Sequence, residues 1–243
     1  MNEPQLVAVW VYLAASPLLW LTLTLVCYLG AVWIYRLGGE SPWLNPVAIA
    51  VVLLIVLLVV TGTPYQIYFD GAQFVHFLLG PATVSLAIPL YRQRQRLRAL
   101  ALPIAVALVA GVLTASLSAV GFAALLGAGK ETLISLAPKS VTAPVAMGIS
   151  EKLGGLPSLT AVLVVSTGIV GAVLGTGLFR LLGIRDDAIK GIAMGVAAHG
   201  IGTARAFQVS PTMGAFSGLA MALSAFVTAL LLPPLLRWIG LVP

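Results

Sequence analysis

The charged residues of this chain are spaced so widely that they leave long stretches without any charge. Six stretches of more than 20 residues are uncharged: 4–35, 41–69, 71–91, 99–129, 153–179 and 206–236. A transmembrane helix needs about 20 consecutive, mostly apolar residues, because the hydrocarbon core of a bilayer is about 30 Å thick. Each stretch is therefore long enough to cross a membrane.

The composition excludes a water-soluble fold. Hydrophobic residues make up 60% of the 243 residues and charged residues only 8%, against about 25% charged residues in an ordinary soluble domain. The length allows about seven or eight transmembrane segments. We therefore expect an all-α polytopic membrane protein in which residues 1–243 form a single transmembrane domain without a cleavable signal peptide. Predicted spans include about 17–37, 43–62, 157–182, 188–209 and 214–238.

Basic residues cluster in one predicted loop, within a net charge of +6. Loops rich in Lys and Arg stay in the cytoplasm, so we interpret the cluster as a cytoplasmic loop and not as a nucleic-acid interface. The single cysteine, Cys27, excludes an intramolecular disulfide and a multi-cysteine metal site. No catalytic or cofactor motif is found, so we expect no enzyme, no cofactor and no metal. The cluster consists of Arg92, Arg94, Arg96 and Arg98.

Two membrane-length segments contain prolines. A proline inside a helix removes a backbone hydrogen bond and clashes with the preceding turn, so we predict that both segments are kinked or broken within the membrane. Paired interrupted segments are typical of transporters, whose binding sites they form near the bilayer midplane. The segments are residues 77–91, with Gly80 and Pro81, and residues 135–146, with Pro138 and Pro144.

The two broken segments resemble each other at an offset of 57 residues. Both combine a proline with two hydroxyl side chains, which indicates an internal repeat. Repeat 1 is predicted over about 17–97 and repeat 2 over about 98–185, with further spans over 188–238. The matching pairs are Pro81 with Pro138, Thr83 with Ser140, and Ser85 with Thr142.

The basic residues between 180 and 190 decide the orientation of the repeats. Simple alternation of spans would place this loop opposite the Arg92–Arg98 cluster, against the positive-inside rule. An extra crossing or re-entrant piece near 119–129 would bring the loop and Arg237 to the cluster's side. It would also invert the second broken segment, so we predict an inverted repeat as in elevator-type transporters.

Lys139 directly follows the proline of the second broken segment. A charge at membrane depth costs about 2.5–3.5 kcal/mol, and an anionic substrate beside the positive end of a half-helix would offset this cost. Alternatively, Lys139 reaches an interface or pairs with Glu131 or Glu151. Hydroxyl groups nearby can bind a small polar solute, although they also pack helices together. The substrate-binding candidates here are Lys139, Ser140, Thr142, Thr83 and Ser85.

A second polar group lies within the predicted span 188–209. An intramembrane histidine can titrate near physiological pH, which makes His199 a candidate for proton coupling. Arginine can bind a carboxylate through two parallel hydrogen bonds, so Arg205 and the neighbouring Thr203 are further substrate-binding candidates. Alternatively, Arg205 anchors the span at a membrane face and His199 makes a structural hydrogen bond.

Three motifs in the chain are specific. They are Leu79-Gly80-Pro81-Ala-Thr83-Val, Pro138-Lys139-Ser140-Val141-Thr142-x-Pro144 and His199-Gly-Ile-Gly-Thr203-Ala-Arg205-Ala. Together they resemble the LrgB/CidB family of bacterial membrane proteins, over about residues 17–238. The chain departs from the family pattern at 207–211, where an acidic stretch is expected, and at Ser224, where an asparagine is expected.

The resemblance implies two kinds of function. Members of the family are described as antiholin-like modulators of murein hydrolase activity and cell lysis that work beside a small LrgA/CidA partner. Others are transporters: plant chloroplast relatives move glycolate and glycerate, and some bacterial members are linked to pyruvate uptake. The resemblance also implies that the motif residues, including Lys139 and His199, belong to the site.

We therefore predict a transporter of small monocarboxylates (glycolate, glycerate, lactate or pyruvate) in the bacterial cytoplasmic membrane, with proton coupling as a further expectation. The alternative is an antiholin-like regulator of lysis, and a channel fits the sequence as well as a carrier. The expected partners are a small organic anion, the lipid bilayer, an LrgA/CidA-like protein and further copies of the chain.

Overall fold

The structure, a computed structural model, describes residues 17–78, 81, 84 and 87–242. All regular secondary structure in these ranges is helical, which confirms the all-α class for this part of the chain. The chain divides into two compact units, residues 1–85 and 86–243.

The first unit packs its helices around a small aromatic core. The ring of Trp20 is fully buried and meets the ring of Tyr68 edge-on, with 6.0 Å between the ring centroids. The first helix packs against the two that follow it. The helices are α1 (Pro17–Leu37), the 3-10 helix Pro42–Leu44, α2 (Pro46–Thr61) and α3 (Tyr65–Phe77).

The predicted span at 43–62 is a shorter helix, α2, of 16 residues. Its start is fixed by Asn45, whose side-chain oxygen accepts hydrogen bonds from the backbone N–H groups of Val47 and Ala48 at 2.9 and 3.1 Å. Pro46 takes the first helical position, where its missing N–H is no loss. Gly62 ends the helix with a φ of 62°.

The second unit contains eight helices in its described residues. Together with α1, three of them are long and apolar enough to cross a membrane: α6, α9 and α11. These four helices indicate a membrane protein. The helices of this unit are α4 (Ala87–Arg92), α5 (Arg94–Ala99), α6 (Ala101–Leu125), α7 (Lys130–Leu136), α8 (Ala143–Leu153), α9 (Pro157–Leu181), α10 (Asp187–Val209) and α11 (Pro211–Trp238).

The helix α10 folds back on itself in its middle. His199 has φ 40° and ψ −130°, which is far from helical geometry. A Cβ atom placed on Gly202 would lie 3.1 Å from the backbone oxygen of Met194, although residues eight apart in a straight helix are separated by about 12 Å. The chain therefore reverses its direction at His199.

The two ends of α10 confirm the reversal. The hydroxyl of Ser210 donates a 2.8 Å hydrogen bond to the carboxylate of Asp187, whereas the ends of a straight helix of this length would be about 34 Å apart. The predicted span at 188–209 is therefore wrong. Its length and small apolar residues suit a span, but two arms, 187–198 and 200–209, form a hairpin instead, here called the second hairpin.

Glycines let the first arm of the second hairpin run along α11 in backbone contact. A Cβ atom on Gly191 would lie 2.4 Å from the backbone oxygen of Met213, and one on Gly195 would lie 2.2 Å from that of Ser217. A step of four residues along the arm, from Gly191 to Gly195, matches a step of four residues along α11, from Met213 to Ser217. The arm and α11 therefore run in the same direction.

The helices α7 and α8 form another hairpin, here called the first hairpin (residues 130–153). Ser135 in α7 and Ser150 in α8 both lie against Thr160 of α9. The Thr160 hydroxyl is 3.1 Å from the backbone oxygen of Ser135 and 2.8 Å from the hydroxyl of Ser150. Because both arms meet α9 at the same height, the chain turns back between them, at residues 137–142. The predicted break near Pro138 is this turn.

This contact predicts an effect on stability. Replacing Thr160 with valine keeps the side-chain shape but leaves the hydroxyl of Ser150 and the carbonyl of Ser135 without this partner in a buried position, so we expect a loss of about 1–3 kcal/mol. The measurement is thermal unfolding in detergent, with the exposed Ser158→Ala on the same helix as control. Equal midpoints for the two variants would contradict the expectation.

Apolar clusters show that the two hairpins enter from opposite ends of the bundle. One cluster joins the first hairpin to the ends of α6 and α11, through Leu133, Ile149, Val120 and Leu232. Another joins the first arm of the second hairpin to the beginnings of α6 and α11, and includes Ile104, Val196 and Phe216. Each hairpin therefore fills one half of the membrane-spanning bundle.

The basic loops of this unit share one face. Arg96, from the predicted basic cluster, forms an ion pair with Asp186, just before the second hairpin, at 2.5 Å. The cluster and the 180–190 loop therefore lie on the same side of the bundle, as predicted. The predicted extra crossing or re-entrant piece near 119–129 is wrong, because α6 runs unbroken to Leu125. The re-entrant element is the first hairpin, and Arg237 at the end of α11 lies at the opposite face.

Candidate functional site

The tips of the two hairpins meet beside the middle of α9. Val141, in the turn of the first hairpin, packs with Val164 of α9 and with Ala146. The backbone oxygen of the same Val164 lies 2.9 Å from Nε2 of His199, at the tip of the second hairpin. A single residue of α9 therefore contacts both tips.

The length of the arms places this meeting point deep in the bundle. The arm 187–198 has 12 residues, which corresponds to about 18 Å at 1.5 Å per residue. This is roughly half the length of α9, whose 25 residues span about 37 Å. The tip also contacts α9 at Gly168, where an added Cβ atom would lie 2.7 Å from the His199 ring.

The turn of the first hairpin contains a lysine and two hydroxyl side chains. The ammonium of Lys139 donates a hydrogen bond to the buried hydroxyl of Ser140 at 3.2 Å. Thr142 is the N-cap of α8, but its side chain makes no capping hydrogen bond, and Pro144 lies in the first turn of that helix. The first N–H groups of α8 therefore point toward the turn without a side-chain acceptor from Thr142.

The tip of the second hairpin is held by hydrogen bonds on both sides. Beyond the bond to Val164, the hydroxyl of Thr203 donates to the backbone oxygen of His199 at 2.7 Å and lies 2.9 Å from the hydroxyl of Ser217 in α11. A non-glycine residue with a φ of 40° is strained, and these contacts hold it in place. The predicted structural hydrogen bond of His199 is present.

The region of the tips is electropositive. The ammonium of Lys139 stands in the turn of the first hairpin, and Val164 of α9 contacts both this turn and His199. Two half-helices, α8 and the arm 200–209, begin at the tips, and helix N-termini carry partial positive charge. The acidic residues of this unit all lie near its two faces: Glu131, Glu151, Asp186 and Asp187. A small anion is therefore the kind of ligand this region suits.

The base of the second hairpin is tied by polar contacts at the basic face. Asp187 accepts hydrogen bonds from Lys190 at 3.0 Å and from Ser210. These two bonds hold the pKa of the Asp187 carboxyl below its ordinary value. The N-cap is the preceding residue, Asp186, whose carboxylate accepts from the N–H groups of Ala188 and Ile189. The carboxylate of Asp187 thus stays ionised and keeps the arms together.

Arg205 lies away from the tips. It is on the second arm, six residues past His199, where its guanidinium donates a 3.0 Å hydrogen bond to the side chain of Gln208. This position, toward the base of the hairpin, matches the alternative reading as an anchor near a membrane face. The predicted role of Arg205 in substrate binding stays a prediction.

The part that the first broken segment takes in the site stays a prediction. Gly80, Thr83 and Ser85 lie outside the described residues, and Pro81 is an exposed residue of the first unit. Lys139 makes no ion pair with Glu131 or Glu151 among the contacts described for the chain. The predicted repeat and its orientation therefore remain predictions.

Some residues of the site gave no signal in the sequence. Val164 and Gly168 stand in an apolar helix, and only the spacing of the small residues Gly168, Gly171 and Gly175 hints at close packing. The structure places them against His199, Ala198 and Met194, respectively. Apolar grooves along α6 are lined by residues such as Ile104 and Ala107 and lie apart from the tips.

The chain is similar in sequence to known proteins over nearly its whole length. The chain is 36% identical to the uncharacterized protein YwbG of Bacillus subtilis over 218 residues, which cover 90% of this chain and 96% of that protein. It is 32% identical to the holin-like protein CidB of Staphylococcus aureus over 219 residues, 90% of this chain and 95% of the relative. The CidB of Staphylococcus epidermidis is also 32% identical, over 81% of this chain and 86% of its own length.

No solved structure is significantly similar to the chain. The family model described as LrgB-like family matches residues 24–238, which include both hairpins and all the residues at their tips. With relatives above 30% identity over most of their length, the chain belongs to the LrgB-like family.

Proposed function

We propose that this chain is a transporter of small monocarboxylates such as glycolate, glycerate, lactate or pyruvate. The observation that carries the proposal is the meeting of two hairpin tips from opposite faces, with Lys139 at one tip and His199 at the other. Interrupted helices that meet at the midplane are the usual binding sites of secondary transporters.

In this proposal, the ammonium of Lys139 and the first N–H groups of α8 bind the carboxylate of the substrate. Ser140, Thr142 and Thr203 supply hydroxyls around it, and His199 is the candidate for proton coupling. The hairpins move against the rest of the bundle to expose the site to each side in turn, as in transporters with inverted repeats. The basic face is cytoplasmic, in the inner membrane of a bacterium.

The test is uptake of labelled glycolate, lactate and pyruvate into liposomes that contain the purified chain, with and without an inward proton gradient. We expect saturable uptake that falls at least about tenfold in Lys139→Ala, because a carboxylate would lose its charged partner. Lys152→Ala, at the exposed end of α8, should leave uptake unchanged. Equal uptake by Lys139→Ala and the wild type would refute the role of Lys139.

A second candidate function is suggested by the names of the relatives, since CidB is called holin-like. In that case the chain would assemble with an LrgA/CidA-like membrane protein and regulate lysis without moving a solute of its own. A stable complex that changes the permeability of vesicles, together with no uptake by the purified chain, would favour this function. Neither candidate involves enzymatic catalysis.

A further inference from the structure

The hydroxyl of Ser224, in the middle of α11, is fully buried and has no hydrogen-bond partner among the described residues. Only 1% of the residue is exposed, and its Oγ atom contacts no donor or acceptor within the described part of the chain. Buried polar groups are almost always paired, and an exception calls for an explanation such as a ligand.

The helical register places Ser224 just beyond the tip of the second hairpin. Ser217, two turns earlier on the same face of α11, faces Thr203 of the second arm. Met221, one turn earlier, has its sulfur 3.9 Å from the Thr203 hydroxyl and 3.8 Å from where a Cβ atom of Gly200 would lie. Since Gly200 directly follows the tip, the next turn of α11, with Ser224, lies past it.

The first hairpin reaches the same level from the other side. Ala225, next to Ser224, packs with the cluster of Val141 and Val164, which contains the turn of the first hairpin. Ser224 therefore lies at the level of both tips, on the α11 side of the site that contains Lys139.

We propose that the hydroxyl of Ser224 binds the oxygen on C2 of the substrate, so that the site selects 2-hydroxy and 2-oxo carboxylates over plain carboxylates. This inference rests on the proposed function. A carboxylate held at Lys139 leaves its C2 substituent to face a wall of the site, and a hydroxyl can both donate to a keto oxygen and donate to or accept from a hydroxyl. A site built to hydrogen-bond a substrate oxygen discriminates against the analogue that lacks it.

The experiment compares glycolate with acetate, which has the same carboxylate but no oxygen on C2. Uptake of both is measured in liposomes with the wild-type chain, Ser224→Ala and Thr228→Val, the last removing another buried hydroxyl one turn further along α11. For Ser224→Ala we expect glycolate uptake to fall about tenfold and acetate uptake to change less than about twofold. Thr228→Val should keep the wild-type preference for glycolate.

A further variant separates hydrogen bonding from packing. Ser224→Cys keeps a side chain of similar shape with a weaker donor and acceptor, so its preference for glycolate should lie between those of the wild type and Ser224→Ala. An unchanged ratio of glycolate to acetate uptake in Ser224→Ala, with active transport, would overturn the role of Ser224 alone. Uptake of neither acid by the wild-type chain would refute the proposed function and the inference together.

Discussion

Replacing Gly195 with alanine is expected to lower the unfolding midpoint of the protein strongly. The added Cβ atom would lie 2.2 Å from the backbone oxygen of Ser217 and 2.9 Å from the Cβ of Ala220. A backbone atom cannot rotate away as a flexible side chain can, so the first arm of the second hairpin would have to separate from α11. Overpacking of this kind costs about 3 kcal/mol, which corresponds to a drop of roughly 6–12 °C in the unfolding midpoint.

The matched control is Gly148→Ala in α8, where an added Cβ atom would have nothing within 4 Å. Alanine at a free helical position is expected to stabilise by about 0.5–1 kcal/mol. Both variants are compared with the wild type by the amount of monodisperse protein that remains in detergent after heating. A midpoint for Gly195→Ala within about 2 °C of the wild type would mean that the arm does not pack as described.

Cysteine labelling is expected to give an all-or-none result for the path of α10. In a background with Cys27→Ser, single cysteines replace Arg185, Val209 and Trp238, all of which are exposed. Because the second hairpin returns to the face it came from, an impermeant maleimide should label positions 185 and 209 from the same side of the membrane. Position 238, at the end of the crossing helix α11, should be labelled from the other side.

A helix α10 that crossed the membrane would reverse both results. Position 209 would then be labelled from the side opposite to 185, and position 238 from the same side as 185. Labelling with and without permeabilisation of the membrane provides the control for reactivity at each site. The observation that all three positions react from one side would contradict both descriptions of the chain.

Much of the architecture could be predicted from the length of the apolar stretches in the sequence. The spans at 17–37, 157–182 and 214–238 correspond to α1, α9 and α11, because crossing a bilayer requires a run of apolar residues that is visible in the sequence. The break near Pro138 could also be predicted, since the ring of proline and the lysine beside it are poorly suited to the inside of a membrane helix.

The reversal at His199 could not be predicted in the same way. Residues 188–209 are as many as one membrane-spanning helix needs, and a hairpin of two half-length arms contains the same number of residues. What decides between them are contacts between distant residues, such as Asp187 with Ser210 and Gly202 with Met194. Sequence patterns report which face of a helix is apolar, but not which distant segment that face meets.

For the candidate site too, the sequence predicted some features and not others. Lys139 and His199 stood out as polar groups in apolar surroundings, and the structure places them at the two hairpin tips that meet at Val164. The burial of the unpaired Ser224 hydroxyl depends on the packing and the register of α11. It could not be derived before the path of the chain was known.

The shape of the second hairpin also bears on how the protein is made. The helix α10 is not among those apolar enough to cross a membrane, and its tip exposes backbone groups that lipid cannot hydrogen-bond. A nascent chain that ended at residue 209 would therefore gain little by placing this segment in the bilayer. Its membrane insertion during translation depends on α9 and on the later arrival of α11, which supply the partners for its glycines and for Thr203.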